Sequence, residues 1–169
     1  MSEKIKGDLI IIGGAEDKEN EKEILKKVCE FINKNEDTIL IATVATEYPK
    51  ETLIKYKKVF KTLEVKNIEG LSIEERKDSL EEENIELIKR ASLIFFTGGD
   101  QLRITSLIGG TPINDAIKEA IERGCMIVGT SAGASVMSDT MIVKGNDDES
   151  PRKSVLKMAP GLGFVKGIM

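Results

Sequence analysis

Histidine is absent from all 169 residues of the chain, and tryptophan is absent as well. Histidine is the side chain that most often takes the proton from a serine or another weak nucleophile near neutral pH. Its absence excludes a complete serine–histidine pair within this sequence. Any serine chemistry here needs a base of another kind or from another source.

Cysteine is scarce, with Cys29 and Cys125 as the two in the chain. Both lie within apolar periodic stretches, which predicts buried free thiols in a reducing compartment rather than a disulfide or a metal pair. The net charge of −4 provides no basic footprint for nucleic acid. No apolar run approaches the roughly 20 residues of a membrane span, and the start lacks the apolar segment of a signal peptide. We expect a soluble, cytoplasmic protein with neither nucleic acid nor a membrane as a partner.

The chain does have a regular alternation of short apolar runs and amphipathic stretches. The pattern of buried strands occurs at residues 8–12, 38–46, 63–68, 92–97, 125–128 and 140–143. Helical periodicity covers residues 15–34, 49–63, part of 72–90, 102–108 and 112–123. This alternation predicts a single α/β domain over residues 1–169 with a mainly parallel sheet.

The segment Gly129-Thr130-Ser131-Ala132-Gly133 lies between a predicted strand and a run of small residues. It has the G-x-S-x-G pattern of a nucleophile elbow, in which a strained turn needs small neighbours around the serine. The hydroxyl of Ser131 would stand clear of the sheet, with the Ala132 N–H facing the position of an oxyanion. A glycine-rich turn with an ordinary surface serine is the alternative. Since strand ends gather at one rim of a parallel sheet, Gly13-Gly14 and Gly98-Gly99 are expected beside this turn.

Two glycine-rich motifs occur together, Phe95-Phe96-Thr97-Gly98-Gly99-Asp100-Gln101 and Gly129-Thr130-Ser131-Ala132-Gly133-Ala134-Ser135. Matching segments are also found at Gly13-Gly14-Ala15-Glu16 and at Met137-Ser138-Asp139-Thr140-Met141-Ile142. Over nearly the whole chain, this set resembles the cyanophycinase branch of the peptidase E-like serine peptidases. The resemblance implies a three-layer α/β sandwich with a flavodoxin-like sheet, of the class I glutamine-amidotransferase-like type.

The same resemblance implies an activity. Cyanophycinases cut cyanophycin, a poly-aspartate backbone carrying arginine on its side-chain carboxylates, into β-aspartyl-arginine dipeptides, without a metal or an organic cofactor. By position, Ser131 matches the nucleophile, Gly99 and Ala132 match the oxyanion donors, and Gln101 matches a substrate-contacting glutamine. A polar residue at a helix start is the alternative for Gln101, and Asp100 is expected to cap that helix. Members of the family are often dimers, which implies a possible homodimer.

The sequence departs from the family pattern at the base. The family's histidine lies in an Asp-Gln-His run just beyond a strand resembling residues 163–169, and its acidic partner lies further on. We expect a piece of a longer enzyme that lacks its C-terminal elements and hydrolyses substrate very weakly. The alternatives are a short relative that kept only binding, and a serine–lysine pair using Lys144 or Lys166.

Other functions stay open on the sequence alone. An α-aspartyl dipeptidase of the peptidase E type would keep the fold and change the substrate, and a non-catalytic binding module would dispense with the base. An α/β-hydrolase fits the elbow but also needs a histidine, and no G-x-G-x-x-G follows a strand as a Rossmann site requires. The acidic segment Asp147-Asp148-Glu149 is either an ordinary solvated loop or a feature that attracts the substrate's arginines.

Overall fold

The main sheet contains five parallel strands with helices on both faces. The structure, a computed structural model, describes residues 7–144 and 157–165, without the side chain of Lys144. The strands are β1 (Leu9–Ile12), β2 (Thr38–Ala42), β3 (Asn67–Leu71), β4 (Leu93–Phe96) and β5 (Met126–Thr130). Their order across the sheet is β1-β5-β4-β2-β3. Strands β2, β4 and β5 are almost entirely buried, as expected where helices cover both faces.

Two apolar cores lie on opposite faces of the sheet. The helices are α1 (Glu23–Cys29), α2 (Pro49–Thr62), α3 (Glu82–Arg90), α4 (Gln101–Ile108), α5 (Pro112–Glu122) and α6 (Ala132–Ser135), with a 3-10 helix at Arg76–Leu80. Leu25 of α1 and Phe60 of α2 belong to one core, while Ile88 of α3, Ile104 of α4 and Ile117 of α5 belong to the other. The predicted three-layer α/β sandwich is confirmed. No helix in the described ranges has the length and apolar character needed to cross a membrane.

A separate antiparallel hairpin follows α6. It consists of β6 (Thr140–Lys144), which the sequence predicted, and β7 (Lys157–Pro160), which it did not. Close to it, Ser138 and Val165 form an isolated parallel bridge. The acidic segment 147–149 and Lys166 lie outside the described residues, so the predictions made for them stay predictions.

The helix predicted over residues 15–34 is mostly wrong. Only the seven residues of α1 are helical, because Ala15 and Lys22 adopt left-handed φ values of 51° and 53° that a right-handed helix cannot include. Between them, the Asp17 carboxylate accepts three backbone N–H groups from residues that follow it, which fixes a turn instead. Ile24 and Phe31, which the 3.6-residue spacing puts on the apolar face of the predicted helix, are 45% and 54% exposed.

Strand β3 begins four residues later than predicted. The predicted strand started at Leu63, but this residue closes α2, and Glu64 then takes a left-handed φ of 69°. The N–H of Val65 turns back to donate to the Phe60 carbonyl at 3.1 Å. The apolar residues at 63–65 therefore complete the core beneath α2, and extended pairing with β2 begins only at Asn67.

Candidate active site

Ser131 occupies a strained turn between β5 and α6. Its φ of 53° and ψ of −116° lie outside the regions that non-glycine residues normally adopt. Such outliers persist where the surrounding structure holds them, and they cluster at functional sites. The residue is exposed, and its backbone N–H donates to the Ile12 carbonyl at 3.0 Å. The structure therefore contains a sharp strand–turn–helix at the predicted elbow, with Ser131 exposed.

Two glycine tips flank this serine. A Cβ added to Gly14 would lie 3.1 Å from the Ser131 Cβ, and one added to Gly98 would lie 3.4 Å from it. The strand register explains the proximity, since β1 and β4 both pair with β5 and all three strands end at one rim. The chain leaves β1 toward one face of the sheet and leaves β5 toward the other, which creates the crevice where α/β proteins bind ligands.

The small residues of the elbow are required by close packing of backbone on backbone. A Cβ on Gly133 would lie 2.4 Å from the Phe96 carbonyl oxygen, and one on Gly129 would lie 2.3 Å from the Gly133 oxygen. Helix α6 therefore rests directly on β4 and β5. This contact fixes where the chain turns, and with it the position of Ser131.

Of the two predicted oxyanion donors, Ala132 directly follows Ser131, and Gly99 belongs to the second glycine tip. Ala132 is the first residue of α6, so its N–H has no acceptor within that helix. Gly99 has a φ of 146°, and a Cβ there would lie 2.2 Å from the Ala45 carbonyl oxygen, which leaves room only for glycine. Asp100 next to it donates its N–H to that same oxygen at 2.9 Å, which holds the tip in place. The donor roles themselves stay predictions.

Gln101 and Asp100 contact neighbouring parts of the chain. The Gln101 Nε2 donates to the Ile142 carbonyl at 3.1 Å and so joins α4 to β6. Asp100 accepts the Leu102 N–H at 2.8 Å, which confirms that it caps α4. A substrate contact for Gln101 stays a prediction.

Glu16 is a buried carboxylate beside the elbow that sequence reasoning left without a role. It is 5% exposed and accepts hydrogen bonds from the Tyr56 hydroxyl, from Thr130 Oγ1 at 2.5 Å and from Lys18 Nζ at 2.9 Å. Burial alone would raise the pKa of Glu16, but the three donors outweigh it, and the pKa lies below its usual value. The signal available in the sequence was an acidic residue two positions after the Gly13-Gly14 pair that follows β1.

A groove of about 780 Å³ lies between α4 and the end of β7. Asp100, Arg103 and Pro160 line it, and Ser131 does not. Because Ser131 is not part of the groove's lining, the elbow, rather than this groove, is the better candidate for chemistry. Among the described residues, no three or more His, Cys, Asp or Glu side chains group closely enough to hold a metal ion.

The sequence matches a known family and several curated relatives. The model of peptidase family S51 matches residues 9–169. A cyanophycinase from Geminocystis herdmanii is 32% identical over 170 residues, covering 100% of this chain and 62% of the relative. A cyanophycinase from Synechococcus elongatus is 33% identical over 165 residues, covering 97% of this chain and 51% of the relative. The chain thus spans 51% to 62% of the length of these relatives.

Solved structures share the fold at lower identity. A peptidase from an acI-B1 Actinobacterium superimposes with a TM-score of 0.69 at 21% identity, covering 95% of this chain and 65% of the other. A putative peptidase E from Listeria monocytogenes EGD-e gives a TM-score of 0.65 at 20% identity, covering 94% and 75%. At this identity they support the sheet topology alone. The family match across residues 9–169 establishes that the chain belongs to peptidase family S51.

Proposed function

We propose that this protein is a serine-type peptidase that cleaves cyanophycin to β-aspartyl-arginine dipeptides, with Ser131 as its nucleophile. The observation that carries the proposal is the exposed Ser131 on a strained turn, flanked by the Gly14 and Gly98 tips. Two relatives at 32% and 33% identity bear the name cyanophycinase, which supports this substrate. We also expect a cytoplasmic homodimer, which cell fractionation and sedimentation would test.

The chemistry proposed for this site is acyl transfer. Ser131 Oγ forms a bond to the scissile carbonyl carbon while a base takes its proton. The carbonyl oxygen becomes an oxyanion that accepts hydrogen bonds from the Gly99 and Ala132 amides. The carbon–nitrogen bond then breaks, the leaving amine takes a proton, and water releases the acyl group from the serine.

The base is the part that this sequence does not supply. None of the 169 residues is histidine, whereas the resemblance implies a histidine as the family's base. We therefore expect very weak hydrolysis by this chain, since positioning and oxyanion donors alone leave a residual rate when other serine hydrolases lose their triad.

A small base in solution tests the proposal without adding residues. Imidazole at high concentration should raise hydrolysis of soluble cyanophycin in proportion to its concentration, because it takes the place of the missing base. Ser131→Ala should abolish this dependence. Ser72→Ala provides the matched control, because Ser72 is an exposed serine directly after β3, at the far edge of the same sheet.

The outcomes separate the alternatives. Full turnover without imidazole would overturn the missing-base interpretation. Imidazole-dependent cleavage of α-aspartyl dipeptides but not cyanophycin would favour an activity of the peptidase E type. Equal rescue of wild type and Ser131→Ala would remove Ser131 from the mechanism.

A non-catalytic binding module is the second candidate, favoured by the complete lack of histidine. This function predicts saturable binding of cyanophycin with no imidazole-dependent cleavage. Equilibrium binding to cyanophycin granules, measured beside the rescue assay, distinguishes the two functions.

A further inference from the structure

The first glycine tip and the elbow are joined by a buried polar cluster, formed by Glu16, Lys18, Tyr56 and Thr130. Glu16 follows Gly13-Gly14 by two residues, whereas Thr130 directly precedes Ser131. The two side chains meet across 114 residues of sequence, with Thr130 Oγ1 donating to Glu16 Oε2 at 2.5 Å. Tyr56 and Lys18 donate to the other carboxylate oxygen. Because both of its oxygens accept hydrogen bonds, the Glu16 carboxylate is held in one orientation.

This cluster acts on the part of the chain where the backbone is strained. Ala15 has a left-handed φ of 51°, Gly14 has a φ of 116°, and Ser131 has a φ of 53°. Conformations of this kind persist only where neighbouring contacts hold them. Two contacts join the strained segments: the Ser131 N–H to the Ile12 carbonyl, and the Thr130 hydroxyl to Glu16.

We propose that Glu16 is a positioning residue for Ser131, acting through its hydrogen bond from Thr130 to hold the serine against the first glycine tip and in line with the oxyanion amides. The proposal rests on the proposed function, because it assigns a purpose to the geometry of residue 131. Glu16 does not touch the reacting atoms. The Glu16 carboxylate suits this role because its two charged oxygens accept hydrogen bonds from all three donors at once. An amide has a single, uncharged acceptor oxygen and cannot replace it.

The test uses a thiol at position 131, so that it depends neither on a base nor on substrate. In Ser131→Cys, the two native thiols stay buried, leaving Cys29 and Cys125 shielded from reagents. Iodoacetamide then reacts with one exposed thiol, at a rate set by its thiolate fraction. Amide N–H groups aimed at the sulfur lower its pKa, so the pH profile of alkylation reports how residue 131 is held.

The Thr130 side chain supplies the decisive variants in this Ser131→Cys background. Thr130→Val removes the hydroxyl but keeps the shape, and we expect the alkylation profile to move toward a free thiol, with a rate about threefold lower near neutral pH. Thr130→Ser keeps the hydroxyl and should restore the original profile. Glu16→Gln provides a second route if Thr130→Val does not fold, and should also move the profile.

Thr111→Val is the matched control, because Thr111 is equally buried and its hydroxyl donates to the Ile108 carbonyl away from the elbow. An unchanged profile in Thr130→Val overturns the proposal. So does an equal shift in Thr111→Val, which would reflect general loosening, or a failure of Thr130→Ser to restore the profile. The result is independent of hydrolysis: a lack of imidazole rescue contradicts the proposed function, whereas the thiol profile alone decides the role of Glu16.

Discussion

Glu16 illustrates how burial and hydrogen bonding compete for one carboxylate. Its side chain is 1% exposed and pairs with Lys18 at 2.9 Å. The Lys27–Glu30 pair at the C-terminal end of α1 is closer at 2.5 Å, but its side chains are 65% and 61% exposed. Exposed pairs contribute about 0–1 kcal/mol because water and salt screen them. Removing one partner of a buried pair leaves the other charge unpaired. We therefore expect substitutions in the Glu16–Lys18 pair to destabilise the protein more than substitutions in the Lys27–Glu30 pair.

The stability of the protein should depend on the ionisation of Glu16. In the folded protein, the hydrogen bonds from Thr130, Tyr56 and Lys18 hold the pKa of Glu16 below the ordinary glutamate value of 4.5. The ionised form therefore stabilises the fold above that value, and the contribution is lost as the pH falls through the folded pKa. We expect the free energy of unfolding of wild type to exceed that of Glu16→Gln at neutral pH, with the gap shrinking below pH 4.5. Urea denaturation across pH measures it.

The exposed carboxylate of Glu30 offers a control for this pH dependence. Glu30→Gln removes a carboxylate of the same kind from the surface pair with Lys27. Its effect on unfolding should be small at every pH. A gap between wild type and Glu16→Gln that stays constant from neutral to acid conditions would show that packing, rather than charge, accounts for the difference.

At the scale of elements, the contact of α6 with β4 determines the elbow. Helix α6 has only four residues, too few to be stable by its own hydrogen bonds. Its position comes from packing, since the Gly133 backbone lies against the Phe96 carbonyl with no space for a side chain. Glycine is therefore needed at position 133 because the two elements pack closely, not because the backbone takes an unusual φ angle.

Adding one methyl group at two glycines should separate these effects. Gly133→Ala places a Cβ 2.4 Å from the Phe96 oxygen, so α6 must shift, and we expect destabilisation of about 1–3 kcal/mol or more. Gly13→Ala meets nothing within 4 Å and should change stability by less than about 0.5 kcal/mol. Urea denaturation of both variants tests this. Equal losses would contradict the close contact of α6 with β4.

At the scale of the whole molecule, one sheet separates two cores that each contain one cysteine. Cys29 lies in the core under α1 and α2, and Cys125 lies in the core on the opposite face. Burial raises the pKa of Cys29 to about 11 and that of Cys125 to about 12. Both thiols are therefore protonated and shielded in the folded protein, as the sequence predicted for two free cysteines.

These thiols should report whether the two faces unfold together. A single cooperative domain predicts that Cys29→Ala and Cys125→Ala expose their remaining thiols at the same rate, set by global unfolding. Disulfide exchange with an aromatic disulfide at mildly alkaline pH measures both rates, and Ser131→Cys serves as the fast-reacting exposed control. Exposure of one thiol much earlier than the other would contradict the single domain over residues 1–169.

The sequence by itself determined the layers of this protein and the place of its elbow. Buried strands in a parallel sheet are continuously apolar. All of β4 and the first three residues of β5 show this pattern in the sequence. The glycines around Ser131 are needed wherever backbone packs on backbone, so their spacing predicted the turn. The same local signals predicted α2, α4 and α5 within a residue or two.

Only the tertiary structure decided how the site is held. Glu16 and Thr130 lie 114 residues apart and meet because β1 pairs with β5 at the sheet edge, a pairing that no local pattern encodes. The same contact, with the left-handed backbone at Ala15 and Lys22, prevents the helix that local periodicity favours over residues 15–34. The strain at Ser131 and the burial of Glu16 depend on long-range packing, because neighbouring strands impose energies larger than the weak preferences of a short segment.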